Sequence, residues 1–245
     1  MEVLIFIISF IAAFIFSLGG VGAAIILIPI LVSLNIPINM AKPIGLFYNT
    51  VSLTGASINN IKNRRLDFKI GIPIIISSFI FAILGAYLSK FIPNKIILFL
   101  FILFLLFSSF MFLFYKKSDK EKYIDKIPNI KLFLLGAFSG LLSGMLGIGG
   151  GGIISPIMLF LGFNPKKITA ITAFVVPFSS FSGFLTYWFM GAINWEILII
   201  ISIAGVLGAT TGTIFMQKKL DSKSVKKILA IILLAMAIKL ILKIL

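Results

Sequence analysis

Cysteine and histidine are both absent from the 245 residues, and only 7 side chains are carboxylates. Without cysteine the chain has neither disulfides nor thiolate metal sites. Without histidine it lacks the commonest metal ligand and the usual proton carrier near neutral pH. A membrane enzyme needs a constellation of acids, histidine, cysteine or metal ligands, and no such spacing occurs. We therefore expect no catalytic residues, no metal and no cofactor.

Apolar residues dominate instead: 60% of the chain is hydrophobic and 12% is charged. Long apolar runs in such a composition predict a polytopic membrane protein whose surroundings are the lipid bilayer. The net charge of +15 does not indicate nucleic-acid binding, because the basic residues lie in short loops between apolar segments. The first residues, MEVLIFIISFIAAF, lack the basic start of a signal peptide, so we expect them in the mature protein.

A stretch of the first half recurs in the second at a shift of about 127 residues. LGGVGAAIILIPILVSL (18 to 34) aligns with MLGIGGGGIISPIMLFL (145 to 161). This predicts two repeats, residues 1–115 and 132–245, joined by a polar cytoplasmic linker at 116–131. Transporters are commonly built from such repeats. The aligned pairs are Gly20 with Gly147, Gly22 with Gly149 and Pro29 with Pro156.

Each repeat contains one long apolar segment followed by three of ordinary crossing length, about 20 residues. The long segments, residues 3 to 33 and 132 to 161, are too long for one crossing and too short for two. A glycine cluster interrupts each. Either each is a long tilted helix, or each is a hairpin of two half-helices that enters and leaves on one side. The ordinary runs lie near 41–61, 69–89, 96–115, 168–189, 195–216 and 225–244.

The distribution of Lys and Arg favours the hairpins. If every segment crosses, the two faces carry 12 and 10 basic residues, which is no bias. If the glycine segments are re-entrant, the split becomes 17 against 5, as the positive-inside rule expects. We therefore predict an all-α polytopic protein of two inverted repeats, each a re-entrant hairpin plus three transmembrane helices. Both termini then lie outside the cytoplasm. We expect the protein in the cell membrane, and whether it forms a homo-oligomer is left open.

The glycine clusters also predict where a solute binds. Each precedes a short helix, near 23–30 and 153–160, whose first N–H groups and partial positive charge attract anions. Two such ends meeting at mid-membrane would form an anion site without a basic side chain. The alternative is that the glycines merely let helices pack closely.

Polar side chains recur at matched places in the neighbouring crossings, although single Ser and Thr residues usually bond to their own helix. No acid lies inside a crossing, so coupling through a buried carboxylate is not expected. Lys42, near the non-cytoplasmic mouth, either attracts anions or extends to the interface, and we favour the second interpretation. The candidate substrate-binding residues are Gly19, Gly20, Gly22, Asn49, Thr50, Ser52, Gly147, Gly149, Gly150, Gly151, Gly152, Thr172, Pro177, Ser179, Ser180 and Tyr187.

The motifs SLGGVG…P and GMLGIGGGG…SP, each opening a unit of four segments, resemble the TauE/SafE-type sulfite exporters, a family of anion permeases. The resemblance covers about residues 5 to 243. It implies transport of small sulfur-containing or organic anions, often outward, with Gly19, Gly20, Gly22 and Gly147 to Gly152 as signature positions. The first loop departs from the pattern, because Ala23 and Ala24 stand where the second has Gly150 and Gly151.

The sequence therefore predicts a secondary transporter or permease for a small anion such as sulfite, an organosulfonate or a related carboxylate. A channel-like permease for a cation or neutral solute, with backbone carbonyls facing the path, is the alternative. GIGGGG lacks the Lys-Ser/Thr ending of a phosphate loop, so ATP-driven transport by this chain is not predicted.

Overall fold

The computed structural model describes residues 2–16, 22–114, 124, 127–191, 193–219 and 222–244. These residues form helices and no strands, which confirms the all-α prediction. The helices are α1 (Glu2–Phe16), α2 (Ala24–Ser33), α3 (Ile38–Lys62), α4 (Phe68–Leu88), α5 (Asn94–Phe114), α6 (Asn129–Leu146), α7 (Gly151–Phe160), α8 (Pro165–Phe189), α9 (Trp195–Lys219) and α10 (Ser222–Ile244).

The same order of five helices occurs in each half of the chain. α2 and α7 are both 10 residues long, α3 and α8 are both 25, and each pair is offset by 127 residues. The helix packing follows the same pattern. The extensive pairing of α4 with α6 has its counterpart in that of α9 with α1, while α3 packs on α8 and α5 on α10.

Five helices of the described chain are long and apolar enough to cross a membrane, namely α4, α5, α6, α8 and α9. α3 was a predicted crossing and is not among them, and α10 contains a shorter apolar stretch, Ala230–Leu242, within the described residues. α3 carries many polar residues in INMAKPIGLFYNTVSLTGASINNIK, which lowers its hydropathy. α6, at 18 residues, is longer than the half-helix expected in a symmetric hairpin.

Close packing of α4 on α6 depends on three glycines spaced four residues apart, Gly136, Gly140 and Gly144. A Cβ at Gly140 would lie 2.5 Å from the carbonyl oxygen of Ser78, and one at Gly144 would contact the carbonyl oxygen of Ala82. Residue numbers rise together along both helices, so α4 and α6 run parallel. Small-residue packing therefore does occur in this protein, in α6 ahead of the glycine cluster.

The segment that contains α6 and α7 doubles back on itself. The amide N–H of Ile124, before α6, donates to the carbonyl oxygen of Gly162, after α7, at 3.1 Å. Leu132 near the start of α6 and Phe163 just after α7 belong to one buried apolar cluster. The two ends of the segment thus lie together at one end of the molecule, and the break between α6 and α7 lies deeper inside.

Candidate functional site

Both glycine clusters break the helix. α1 ends at Phe16 and α2 begins at Ala24, while α6 ends at Leu146 and α7 begins at Gly151. Three glycines at the breaks have positive φ: 86° at Gly22, 79° at Gly147 and 70° at Gly149. Residues with a Cβ adopt this left-handed conformation only at a cost, so glycine is the residue that lets the backbone turn here.

A single side chain joins the two breaks. Asn49 on α3 is fully buried, and its Oδ1 accepts a hydrogen bond from the amide N–H of Ala24, the first residue of α2, at 3.0 Å. Its Nδ2 donates to the carbonyl oxygen of Ile148, in the other break, at 2.6 Å. One partner is a donor and the other an acceptor, which fixes the orientation of the carboxamide. The two glycine breaks therefore meet at Asn49.

The breaks approach Asn49 so closely that neither can carry a side chain there. A Cβ at Gly22 would lie 2.8 Å from Asn49 Oδ1. A Cβ at Gly149 would collide with Asn49 Nδ2 and lie 2.8 Å from Ser180 Oγ on α8. Gly22, Asn49, Gly149 and Ser180, all predicted site residues, are thus brought together between α3 and α8.

The start of α7 presents hydrogen-bond donors without acceptors. The first amides of a helix have no intrahelical partner, and those of Gly151 and Gly152 donate to no other described group. Both residues are buried, and no side chain caps this helix. Buried N–H groups without a partner are rare because each costs about 1–3 kcal/mol. This helix end is therefore suited to bind an acceptor such as an anion.

Four buried serine hydroxyls in the described chain also have no hydrogen-bond partner. One is Ser180 Oγ, which lies beside the Gly149 turn. Native proteins leave few such groups unsatisfied. The hydroxyl and the amides that lack partners at this turn are thus available to bond to a polar group from outside the protein. The four serines are Ser52, Ser143, Ser155 and Ser180.

The two helix starts are not equivalent, because their first amides have different surroundings. At α2 the first amide is already bonded to Asn49. The residue 127 positions after Asn49 is Val176, and its Cγ1 would lie 3.0 Å from a Cβ at Gly149. Valine holds the corresponding place but has no carboxamide, so α7 is left uncapped. The amides of Gly151 and Gly152 at the start of α7 therefore both lack a described acceptor, whereas at α2 the amide of Ala24 has one and that of Ile25 does not.

Several predicted site residues direct their hydroxyls elsewhere. Thr50, Thr172 and Ser179 bond to carbonyl oxygens of their own helices, as isolated hydroxyls in membrane helices usually do. Pro177 is buried within α8. Gly19 and Gly20 lie outside the described residues. Gly150 to Gly152 form the start of α7, and Ser52 is one of the unpartnered hydroxyls.

Lys42 does not extend to the interface, so the interpretation that we favoured from the sequence is wrong. Its side chain is 2% exposed, and Nζ donates to Ser89 Oγ at 3.1 Å. The hydroxyl of Tyr187, a predicted site residue, lies 2.7 Å from Ser89 Oγ and donates to the carbonyl oxygen of Gly144. Ser89 belongs to no sequence motif, and its contact with Lys42 was not predicted from the sequence. Gly147 packs against the Lys42 backbone at this point.

An open groove of about 420 Å³ lies at the other end of α3, beside the loop that leads into α4. Lys167 Nζ, at the start of α8, pairs with Asp67 Oδ2 across it at 2.9 Å. Partial burial opposes ionisation, yet the hydrogen bond and charge of Lys167 hold the pKa of Asp67 below its usual value. The groove is lined by Arg65, Leu66, Asp67, Phe68, Lys69 and Lys167.

A family model described as sulfite exporter TauE/SafE matches residues 5–240, a span that includes both breaks. The chain belongs to the TauE/SafE sulfite exporter family. It is therefore a multi-pass membrane transporter of this family, and the resemblance seen in the sequence is confirmed.

Two probable membrane transporter proteins resemble the chain along most of its length, and a plant TauE/SafE protein resembles a third of it. A probable membrane transporter protein of Methanocaldococcus jannaschii is 28% identical over 247 residues, covering 94% of this chain and 91% of that protein. The probable membrane transporter protein YunE of Bacillus subtilis is 26% identical, with 98% and 97% covered. Sulfite exporter TauE/SafE family protein 6 of Arabidopsis thaliana is 40% identical over 80 residues, 33% of this chain and 19% of that protein. No solved structure matches the chain.

The geometry of the second break predicts unequal effects of alanine at two neighbouring glycines. Gly149→Ala forces a Cβ into positive φ and against Asn49, so we expect a loss of about 2–4 kcal/mol in folding free energy. Gly150 has φ −68°, and its Cβ would come no closer than 3.3 Å to Ile154 Cδ1. Gly150→Ala should therefore unfold close to the wild-type temperature. Thermal unfolding in detergent measures both, and equal stabilities would contradict the geometry.

Proposed function

We propose that this TauE/SafE protein is a secondary transporter or permease that moves a small anion across the cytoplasmic membrane, binding it at the second glycine break. The observation that carries the proposal is the group of unpartnered donors there: the first amides of α7 and the Ser180 hydroxyl. A solute with several acceptor oxygens would satisfy donors that the fold leaves without acceptors. The partial positive charge at the start of a helix favours a negative solute further.

The polarity of the break favours an anion over a cation. A path for a cation would be lined by backbone carbonyls, but the Ile148 carbonyl oxygen, in this break, already accepts a hydrogen bond from Asn49. Among the described residues no group of three or more acids is placed to hold a metal ion. The Ile148 carbonyl oxygen is therefore occupied while the amides of Gly151 and Gly152 have no described acceptor, which supports the anion over the cation or neutral solute.

Sulfite is the first substrate to test. The matching family model and the Arabidopsis relatives carry sulfite export in their names. Sulfite has three oxygen acceptors and a negative charge, which suits a compact site of amide and hydroxyl donors. Organosulfonates and small carboxylates offer the same type of acceptor on a larger molecule.

We further propose that the two repeats are inverted and that each glycine segment is re-entrant. The hydrogen bond from Ile124 to Gly162 supports this for the second repeat, because the chain before α6 and after α7 meets at one end. The split of 17 basic residues against 5 supports it for the whole chain. On this basis the basic end, with the linker at 116–131 and the Asp67–Lys167 groove, faces the cytoplasm.

Replacing Ser180 separates a role in transport from a role in folding. The Ser180 hydroxyl has no hydrogen-bond partner among the described residues, so Ser180→Ala should fold normally. Sulfite flux into proteoliposomes should fall about tenfold from the loss of one hydrogen bond to a charged solute. Ser78→Ala is the matched control, since that buried hydroxyl bonds to the Ile75 carbonyl oxygen of its own helix. Its flux should stay near the wild-type value.

Flux of sodium or potassium ions through the wild-type protein in the same vesicles, without sulfite flux, would favour the channel-like alternative. Unchanged sulfite flux in Ser180→Ala would remove Ser180 from the site.

Topology has a separate test. A reporter that is active only outside the cytoplasm, fused after Leu245, should be active, because six crossings place both termini there. The same reporter inserted in the linker at 116–131 should be inactive and serves as the control. Activity at the linker with none at the C-terminus would contradict the inverted arrangement.

A further inference from the structure

Lys42 is a buried cation without an acidic partner. Its side chain is 2% exposed, and among the described residues the ion pair that forms joins Lys167 to Asp67 instead. An ammonium group inside a membrane protein is costly unless charge or hydrogen bonds compensate it, and such residues are typical of ion and substrate pathways. The groups around Lys42 therefore decide whether it is fully satisfied.

The neighbours of Lys42 use their own protons within the protein. The Ser89 and Tyr187 hydroxyls lie 2.7 Å apart, so one donates to the other. The other hydroxyl donates to a backbone carbonyl oxygen, that of Gly144 at 2.9 Å for Tyr187 or that of Ala86 at 2.8 Å for Ser89. The ammonium donates to Ser89 and lies 5.2 Å from the centroid of the Tyr187 ring. An ammonium has three donors, so Lys42 retains donor capacity and its positive charge.

The environment holds the charge in place without neutralising it. Ser89 caps the C-terminus of α4, and Tyr187 lies in the last turn of α8. Helix C-termini carry partial negative charge, and an aromatic face attracts a cation. These interactions retain an ammonium there, but none of them supplies a full negative charge.

The position of Lys42 connects it to the second glycine break. A Cβ at Gly147 would lie 2.6 Å from the Lys42 Cα, and Tyr187 bonds to Gly144 in the last turn of α6. Lys42 and Asn49 are seven residues apart on α3, which places them on the same face, about 10 Å apart along the axis. The Lys42 backbone thus lies two helical turns from that of Asn49, on the same side of α3.

We propose that Lys42 is a second anion-binding position on the transport path, which holds the oxyanion beside the Gly147 turn before or after it occupies the site at Asn49 and Ser180. This rests on the proposed function, since it assumes that an anion passes the second break. The anion supplies the negative charge that no described acidic residue provides for Lys42. Its oxygens accept hydrogen bonds from the remaining N–H groups of the ammonium. Ser89 and Tyr187 position the ammonium and do not themselves bind the solute.

Three variants test this. Lys42→Met keeps the aliphatic stem and removes the charge, Lys42→Gln keeps a polar end, and Lys42→Arg keeps the charge. The matched control is Lys90→Met, because Lys90 adjoins Ser89 in sequence but is exposed. Each protein is purified, and sulfite is assayed in two ways: the rise in unfolding temperature that it causes, and its flux in proteoliposomes.

We expect KM for sulfite to rise about tenfold or more in Lys42→Met and Lys42→Gln, with the stabilisation by sulfite largely lost. Lys42→Arg should keep KM within about threefold of the wild type, because the charge remains. Lys90→Met should match the wild type. A purely structural lysine would change the unfolding temperature without sulfite and leave KM and the stabilisation by sulfite unaltered.

Wild-type KM in a folded Lys42→Met or Lys42→Gln protein would overturn the proposal. If Lys42→Met does not fold, Lys42→Gln is compared with Lys42→Arg. Equal KM values for sulfite in these two variants would also overturn the proposal. The proposed function fails separately, when the wild-type protein moves neither sulfite nor another small anion. If the Lys42 variants keep the wild-type KM while Ser180→Ala is defective, the proposed function stands and Lys42 has no part in it.

Discussion

One buried carboxamide determines how the centre of this protein is arranged. Asn49 accepts a hydrogen bond from the first amide of α2 and donates one to the Ile148 carbonyl oxygen in the other break. Both bonds are shielded from water, so losing either would leave a buried polar group without a partner. Because both breaks bond to the Asn49 side chain, they lie next to each other. Any solute bound at one break therefore lies close to the other.

The two repeats have the same order of helices, but they differ at the residue that faces the start of the short helix. Asn49 accepts a hydrogen bond from the first amide of α2, whereas Val176, its equivalent by offset, has no group that could accept one from α7. Near-symmetry places the two helix starts together, and valine in place of asparagine leaves the first amide of α7 without the acceptor that the first amide of α2 has. The unpartnered Ser180 hydroxyl lies next to Gly149, and the backbone of the buried Lys42 lies next to Gly147. The features that suit an anion therefore lie around the second glycine break.

Glycine spacing and apolar run length predicted much of the fold, because both reflect local physics. Gly22 and Gly149 break their helices since left-handed backbone strongly favours glycine. The sequence did not distinguish Asn49 from Thr50, since only the rotation of α3 decides which faces the break. The burial of Lys42 depends on Ser89 and Tyr187, 47 and 145 positions further along the chain, so composition near Lys42 suggested an interfacial lysine instead. The capped state of α2 likewise arises from a contact between distant residues.

If a small oxyanion binds where the two breaks meet, its position can be located by crystallography. Selenite has the shape and charge of sulfite and carries an atom with strong anomalous scattering, so crystals soaked with selenite would locate the solute directly. We expect an anomalous peak within reach of hydrogen bonds from the Ser180 hydroxyl and the first amides of α7. A selenium peak remote from both breaks, or a continuous helix through residues 3 to 33, would contradict it.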